Sequence, residues 1–522
     1  MSHSTLDADL RNPAGRAAPA SVEVWSTLSP RLQRVALGGL SFLAFFAMTD
    51  FNLYMRPEFG AALALLAMCF AGATPWRELG RLPLVRMFGV FTVFLIAQAT
   101  YATWVMPSIP WDDHLTVVAK FVRLGVFCCV VGWWLSIRPA AIAPLLGLMV
   151  LGLLLAVLYH MPWTALPAIW DGQVRPRFGI PENLSGQLAA MGGWLALCLL
   201  IGIWRDHPRG RRRNVLLALG LLAYIGCFCV LVFSQSRGAW FAFLSAPPLA
   251  ILGYWLSRRP RSLRTLPWQP IVAVLAVSVV LLLGARDIFA LRFAGADRML
   301  PQVAEHAEDG DAGWQAETAG ARISDGKVQG ISTDGQSAEG KPPVKSAHSA
   351  AAKDRPARTS IDTTIPANKA VSVRLRLYEL GMDKFKERPL LGWGLDSIPV
   401  LIGAAHLDLA GEHHVHLHSA YLDAVVGIGL IGSLLLLTLF ALLMRELFLA
   451  WRADIISRAS FWALAGCVGI VLVTNAFDSL LWRFEYARAP LELLFGCCIA
   501  YALMRRRGTA DAGDVPSAVA RS

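Results

Sequence analysis

Apolar residues in this chain gather into long runs separated by short polar stretches rich in arginine, which is the spacing of a polytopic membrane protein. Crossing the roughly 30 Å hydrocarbon core of a bilayer takes about 20 mostly apolar residues in helical form. Twelve stretches meet that requirement: 33–49, 58–74, 85–105, 115–136, 139–159, 186–204, 214–233, 239–257, 269–287, 418–444, 459–479 and 486–504. The expected fold is all-α, with about twelve transmembrane helices, nine within 33–287 and three within 418–504. Residues 1–32 and 505–522 form the tails, and 288–417 is the large loop.

The arginines set the orientation, because short cytoplasmic loops carry the excess of Lys and Arg. With the N-terminal tail and its Arg31 and Arg34 inside, the inner loops hold Arg77, Arg81 and Arg86, then Arg138, then Arg205, Arg209 and Arg211 to Arg213. They continue with Arg258, Arg259, Arg261 and Arg264, then Arg445, Arg452 and Arg458, and end with Arg505 to Arg507. The opposite short loops are sparse, with Arg56, Arg175 and Arg177, Arg237, Arg483 and Arg488. Helix count and charge bias agree, so both tails are expected in the cytoplasm and the large loop outside. No apolar run precedes Leu32, so no cleaved signal peptide is expected and the helix at 33–49 starts insertion.

Within the large loop the stretch near 301–370 is rich in Ala, Gly, Ser, Asp and Lys and reads as a disordered insertion. The following segment, Arg374 to Met382, has helical periodicity. A turn at Arg388-Pro389-Leu390-Leu391-Gly392-Trp393-Gly394 then leads to a histidine run, so this flank is expected to be a folded ledge beside the membrane.

Composition strengthens the membrane assignment. At 55% hydrophobic and 16% charged residues over 522 positions, and with a mean hydropathy of +0.50, the chain is too apolar for a soluble domain. The net charge of +11 is a topology signal, from arginines facing anionic lipid, and not a sign of nucleic acid binding. The cysteines lie within the predicted helices and read as small buried apolar residues with no disulfide framework.

Candidate chemistry collects on the outer side. Arg175 and Arg177, Arg237, and Arg374 and Arg376 all stand where topology disfavours arginine, and a guanidinium matches phosphate oxygens with several fixed donors. Interfacial arginines also snorkel to lipid phosphates, and for any single one that reading stands beside the functional one. Lys120 and Arg123 sit inside the fourth helix, where charge is costly without a cavity or partner. They are further candidates for a lipid phosphate, against snorkelling by Lys120 and pairing of Arg123 with an acid on another helix. In the run Glu412-His413-His414-Val415-His416-Leu417-His418, His413 and His414 read as solvated or pH-responsive loop residues rather than catalytic ones. His418, and after it His416, begin a helix where a neutral imidazole takes a proton from a hydroxyl. A metal would need a third ligand, Glu412 or Asp423, and no zinc motif is present. The expectation is no metal and no cofactor.

His416-Leu417-His418-Ser419-Ala420-Tyr421-Leu422 with Gly429-Leu430-Ile431-Gly432 resembles the signature of the O-antigen ligase and polymerase superfamily, His-x-His-Asn-x-Tyr-Leu and Gly-Leu-Ile-Gly. Ser234-Gln235-Ser236-Arg237-Gly238-Ala239 is similar to that family's Ser-Arg-Gly-Ala turn, and Arg374 through Gly394 to its Arg…Pro-Leu-Leu-Gly-x-Gly approach. Arg177 to Asn183 is similar to its upstream Arg and Pro-Asn region. Ser419 stands where the family has Asn, Glu182 interrupts the Pro-Asn pair, and Gly427 replaces a common Glu.

The resemblance implies a glycosyltransferase of glycosyltransferase C-like membrane architecture in the bacterial inner membrane, its active site facing the periplasm. The implied donor is a polysaccharide on undecaprenyl pyrophosphate, and the implied acceptor a sugar hydroxyl of the lipid A core in lipopolysaccharide biosynthesis. Transfer would be inverting and metal-independent. His418 would be the base, with His416 second. Arg177 and Arg237 would be the pyrophosphate ligands, joined by Arg175, Arg374 and Arg376, with Lys120 and Arg123 as outlying candidates. An O-antigen polymerase of the same superfamily and a lipid-linked sugar transporter are the alternative readings.

Overall fold

The computed structural model describes residues 25, 27–48, 56–72, 74–256, 268–293, 367–405, 414–482 and 484–513. Among the described residues each of the twelve apolar stretches is mainly helical, and no strand is present. The helices are α1 (Pro30–Phe46), α2 (Glu58–Phe70), α3 (Thr74–Gly80), α4 (Pro83–Val105), α5 (Trp111–Ile137), α6 (Ile142–His160), α7 (Leu166–Trp170), α8 (Glu182–Asp206) and α9 (Arg211–Phe233). They continue with α10 (Arg237–Leu256), α11 (Trp268–Gly284), α12 (Arg286–Phe293), α13 (Ala367–Glu387), α14 (Ile398–Ala404), α15 (Ala420–Arg452), α16 (Arg458–Phe477) and α17 (Phe484–Gly513).

Seven of these, α4, α5, α6 with the short turn before it, α8, α9, α15 and α16, are long and apolar enough individually to cross a membrane. The second apolar stretch is two helices, α2 and α3, set at a sharp bend. Most of the insertion expected near 301–370 lies outside the described residues, and its last positions open α13. The C-terminal segment expected as a tail from 505 continues α17 to Gly513.

Helices in lipid gain little from hydrophobic association with one another, so close approach through small residues does more of the work. Gly39 of α1 and Gly60 of α2 show this: a Cβ on Gly39 would come within 2.5 Å of the Gly60 carbonyl oxygen. At one end of the bundle Arg507 pairs with Glu78 (2.7 Å), Arg505 pairs with Glu446 (2.6 Å) and Arg506 donates to the Arg81 carbonyl (2.6 Å). These groups come from the loops that the charge bias puts inside. The first turn of α15, at the far end from Glu446, belongs to the opposite face.

α15 is interrupted at Gly429, whose φ of 65° and ψ of −173° break the helical path. A broken helix at membrane depth exposes backbone groups that must find partners within the protein. The segment Pro389–Gly394 supplies them. Trp393 N–H donates to the Val426 carbonyl (2.9 Å), Gly394 N–H to Gly427 (2.8 Å), Leu430 N–H to Pro389 (2.8 Å) and Ile431 N–H to Leu390 (3.2 Å). Gln98 of α4 closes the set by donating to the Gly427 carbonyl (2.9 Å). Gly392 (φ 72°) lies so close that a Cβ there would stand 2.6 Å from the Val426 and Gly427 oxygens. The two glycine-bearing motifs are therefore halves of one backbone lock that holds the ledge to α15.

Candidate active site

The loop His414–Ser419 enters α15 at the end opposite the Glu78 and Glu446 pairs. Ser419 caps the helix, its hydroxyl accepting from Leu422 N–H at 3.5 Å. Buried Asp423 reaches back to accept from Leu417 N–H at 2.9 Å. Two residues of the first turn thus fix the backbone on which His416 and His418 stand. His418 itself has φ +57°, a left-handed conformation that costs a side-chain-bearing residue about 1 kcal/mol or more.

Asp478, at the C-terminal end of α16, brings the histidines together. Its Oδ1 lies 3.3 Å from His416 Nε2 and 3.6 Å from His418 Nδ1. Its Oδ2 accepts from Asn183 Nδ2 at 2.6 Å, and Ser479 N–H donates to Oδ1 at 2.8 Å. The carboxylate is almost wholly buried, and a buried charge survives only with such partners. Its turn is held by Asn475, which donates to the Val471 carbonyl (2.7 Å) and accepts from Leu481 N–H (2.6 Å). The carboxylate oxygen is nearer to His416 than to His418, whose Nδ1 it faces as a charge rather than through a hydrogen bond.

His414, expected to be solvated or pH-responsive, is half-buried, with Nδ1 at 3.1 Å from His418 Nε2. Burial and then the positive surroundings of His418, His416 and Arg374 push its pKa down to about 4. It is therefore neutral at neutral pH, and a neutral imidazole so placed exchanges a single hydrogen bond with its neighbour. His413 and Glu412 lie outside the described residues.

The arginines divide. Arg175 is a strut, its Nε donating to the Ser234 carbonyl (2.6 Å) and its Nη2 to Asn183 Oδ1 (2.6 Å), so it ties the 175–183 segment to the Ser234–Arg237 turn. Gln235, with φ +51°, secures that turn by donating to the carbonyls of Gly172 and Val174, each at 3.3 Å. Arg237 then opens α10 close enough to Arg374 of α13 for the two guanidinium charges to repel. Both arginines are half-buried, and paired guanidinium groups are the donor type that matches an anion. Arg177 is half exposed and pairs with Glu182 at 2.5 Å.

The other basic candidates are not drawn in. Arg376 is exposed and lies on the other side of α13 from Arg374. Arg123 lines an apolar groove with Ile96, Val118 and Val122 and is within electrostatic reach of Glu492 on α17, and half-buried Lys120 lies one turn away.

Four described non-glycine residues have positive φ, and three of them, Phe178, Gln235 and His418, lie in these converging segments. Backbone strain of this kind persists where surrounding contacts over-determine it, and it concentrates at functional sites. Sequence reasoning missed Asp478 and named Asn183 only as the end of the Arg177–Asn183 motif, with no role. The signal that was available was an acid directly at the end of an apolar helix on the arginine-bearing face. His416, His418 and Asp478 also offer one ligand atom each within 4.8 Å of one another, the group among the described residues that could hold a metal ion. Asp423, weighed above as a third ligand, is committed to Leu417 N–H instead.

Residues 222–437 match the family model described as O-antigen ligase (Wzy_C). The matched segment contains the Ser234–Arg237 turn, Arg374, the histidine loop and the break at Gly429, while Arg175, Asn183 and Asp478 lie outside it. No curated protein matches the chain.

Proposed function

From the premise that this chain carries a domain of the O-antigen ligase superfamily, whose members are glycosyltransferase-like enzymes of ligase or polymerase type, we propose that it is an O-antigen ligase. It transfers polysaccharide from undecaprenyl pyrophosphate to a sugar hydroxyl of the lipid A core at the periplasmic face of the inner membrane. The observation that carries this reading is a pair of imidazoles, His416 and His418, facing the buried carboxylate of Asp478, near the paired arginines Arg237 and Arg374.

In the transfer, the acceptor oxygen bonds to the anomeric carbon while the bond from that carbon to the pyrophosphate oxygen breaks, from opposite faces, so configuration inverts. His418 takes the hydroxyl proton on Nε2, where the acceptor hydroxyl displaces His414 Nδ1, and Asp478 beside Nδ1 stabilises the imidazolium that results. The electron pair leaves with the pyrophosphate, whose charge Arg237 and Arg374 hold in fixed guanidinium geometry. Arg237 stands at the N-terminus of α10, an end that favours negative charge. Arg177 is a third ligand when it exchanges Glu182 for phosphate. Exposed Trp104, Trp111, Trp163 and Trp170 favour the ligase by giving a bulky amphipathic acceptor an aromatic surface.

The test is transfer by purified protein in nanodiscs from an undecaprenyl pyrophosphate-linked oligosaccharide to lipid A core, with and without EDTA. Product on the core in EDTA, lost by His418→Ala, is the expected result. Lengthening of the lipid-linked chain without core product would make the protein a polymerase, and loss of activity to EDTA would give His416, His418 and Asp478 to a metal.

A further inference from the structure

We propose that Tyr378 is a positioning residue that couples anion binding at Arg374 to the placement of His418. The proposal rests on the ligase reading above and adds how its two halves communicate.

His418 holds a strained backbone, and contacts from three sides fix it. Its ring lies between His414 and Asp478. Its carbonyl oxygen accepts from Tyr378 Oη at 3.2 Å, and that contact comes from α13, an element outside the histidine loop. The direction of the bond is fixed, because a carbonyl only accepts. Burial raises the Tyr378 pKa above its ordinary value, an effect that nearby Arg374 opposes and Asp478 and Asp423 reinforce. The phenol therefore remains a donor throughout the neutral range.

Arg374 stands four residues before Tyr378, so both project from the same face of α13, one turn apart. The next turn on that face is Gly381, where a Cβ would meet Leu417 at 2.8 Å and Leu422 at 2.7 Å. Fully buried Leu377 packs in one cluster with Leu417 and Val426. Trp393 donates to the Lys384 carbonyl at 2.8 Å and ties the end of α13 to the backbone lock on α15. α13 thus has one end fixed on the ledge, its middle seated on the histidine loop, and Arg374 reaching the anion site. An anion that draws two repelling guanidinium groups together acts on the Arg374 end. The Tyr378 hydroxyl passes that displacement to the His418 backbone.

The experiment uses the full chain in nanodiscs, with Tyr378→Phe, Arg374→Gln and the double variant. Initial rates give kcat and the KM for the lipid-linked donor. Carbethoxylation of His418, followed by mass spectrometry with and without inorganic pyrophosphate, reports the environment of the imidazole. Tyr378→Phe is expected to lower kcat about tenfold with donor KM within about twofold, and to abolish the pyrophosphate-dependent change in His418 reactivity seen in the unaltered protein. In the Arg374→Gln background the same substitution is expected to cost less than twofold, since coupled sites are not additive. Wild-type kcat in Tyr378→Phe, or an undiminished pyrophosphate response, or strict additivity with Arg374→Gln, would each overturn the coupling. Full activity in His418→Ala would overturn the ligase mechanism itself, so the two failures are distinguishable.

Discussion

At the scale of single residues, the candidate site centres on a buried carboxylate, Asp478, that Asn183 and the Ser479 N–H hold in place. Replacing Asp478 by Asn retains its size and removes the charge that faces both imidazoles. Initial rates of core glycosylation are expected to fall about a hundredfold or more, with the protein still inserted in the membrane; a loss below threefold would take Asp478 out of the mechanism. His414 provides a pH prediction with a definite sign. Its ordinary pKa of 6.5 drops to about 4 in the folded protein, so between those values the unfolded chain binds a proton that the folded one refuses. Its contribution therefore favours folding above pH 6.5 and is lost as pH falls toward 4. Thermal midpoints in detergent should decline less steeply over that window in His414→Gln than in the unaltered protein. The histidines and Arg237 were legible because a cation on the sparsely basic face departs from the charge bias. Asp478 was not, since its value lies in meeting Asn183 and His418, far away in sequence, and a single acid at a helix end carries no periodicity.

At the scale of elements, apolar run length located every predicted stretch as helix, because a bilayer demands length and hydropathy together. Run length says nothing about breaks, and α15 reads as one continuous apolar helix although Gly429 divides it. The partner that makes the break tolerable, Pro389–Gly394, was legible only as a turn, since backbone pairing between two segments leaves no side-chain signature. Gly392→Ala tests the lock. Its Cβ would meet three backbone atoms at 2.6 Å in a left-handed conformation, and a loss of about 1–3 kcal/mol is expected from the strain alone. A clear fall in the thermal midpoint in detergent would show it, and an unchanged midpoint would mean that the lock relaxes freely.

At the scale of the whole molecule, ion pairs from Glu78, Glu446, Arg505 and Arg507 gather at one end and the histidine site at the other, so one topology governs both. Single cysteines introduced in a cysteine-free background at Val415 and Gly508 should report it. Val415→Cys is expected to react with an impermeant maleimide added outside the inner membrane, and Gly508→Cys only after permeabilisation; the reverse pattern would invert the orientation. Deleting about residues 305–368 is expected to leave core transfer largely intact, as measured by the same assay.

The lock between Pro389–Gly394 and Val426–Ile431 also constrains inheritance. Neither stretch has an independent fit, because each supplies the hydrogen-bond partners that the other lacks. A chimera that imports one of them from a distant relative should misfold even where every imported residue is individually acceptable, while one that imports both together should be rescued. The pair behaves as a single heritable unit written in two places along the chain.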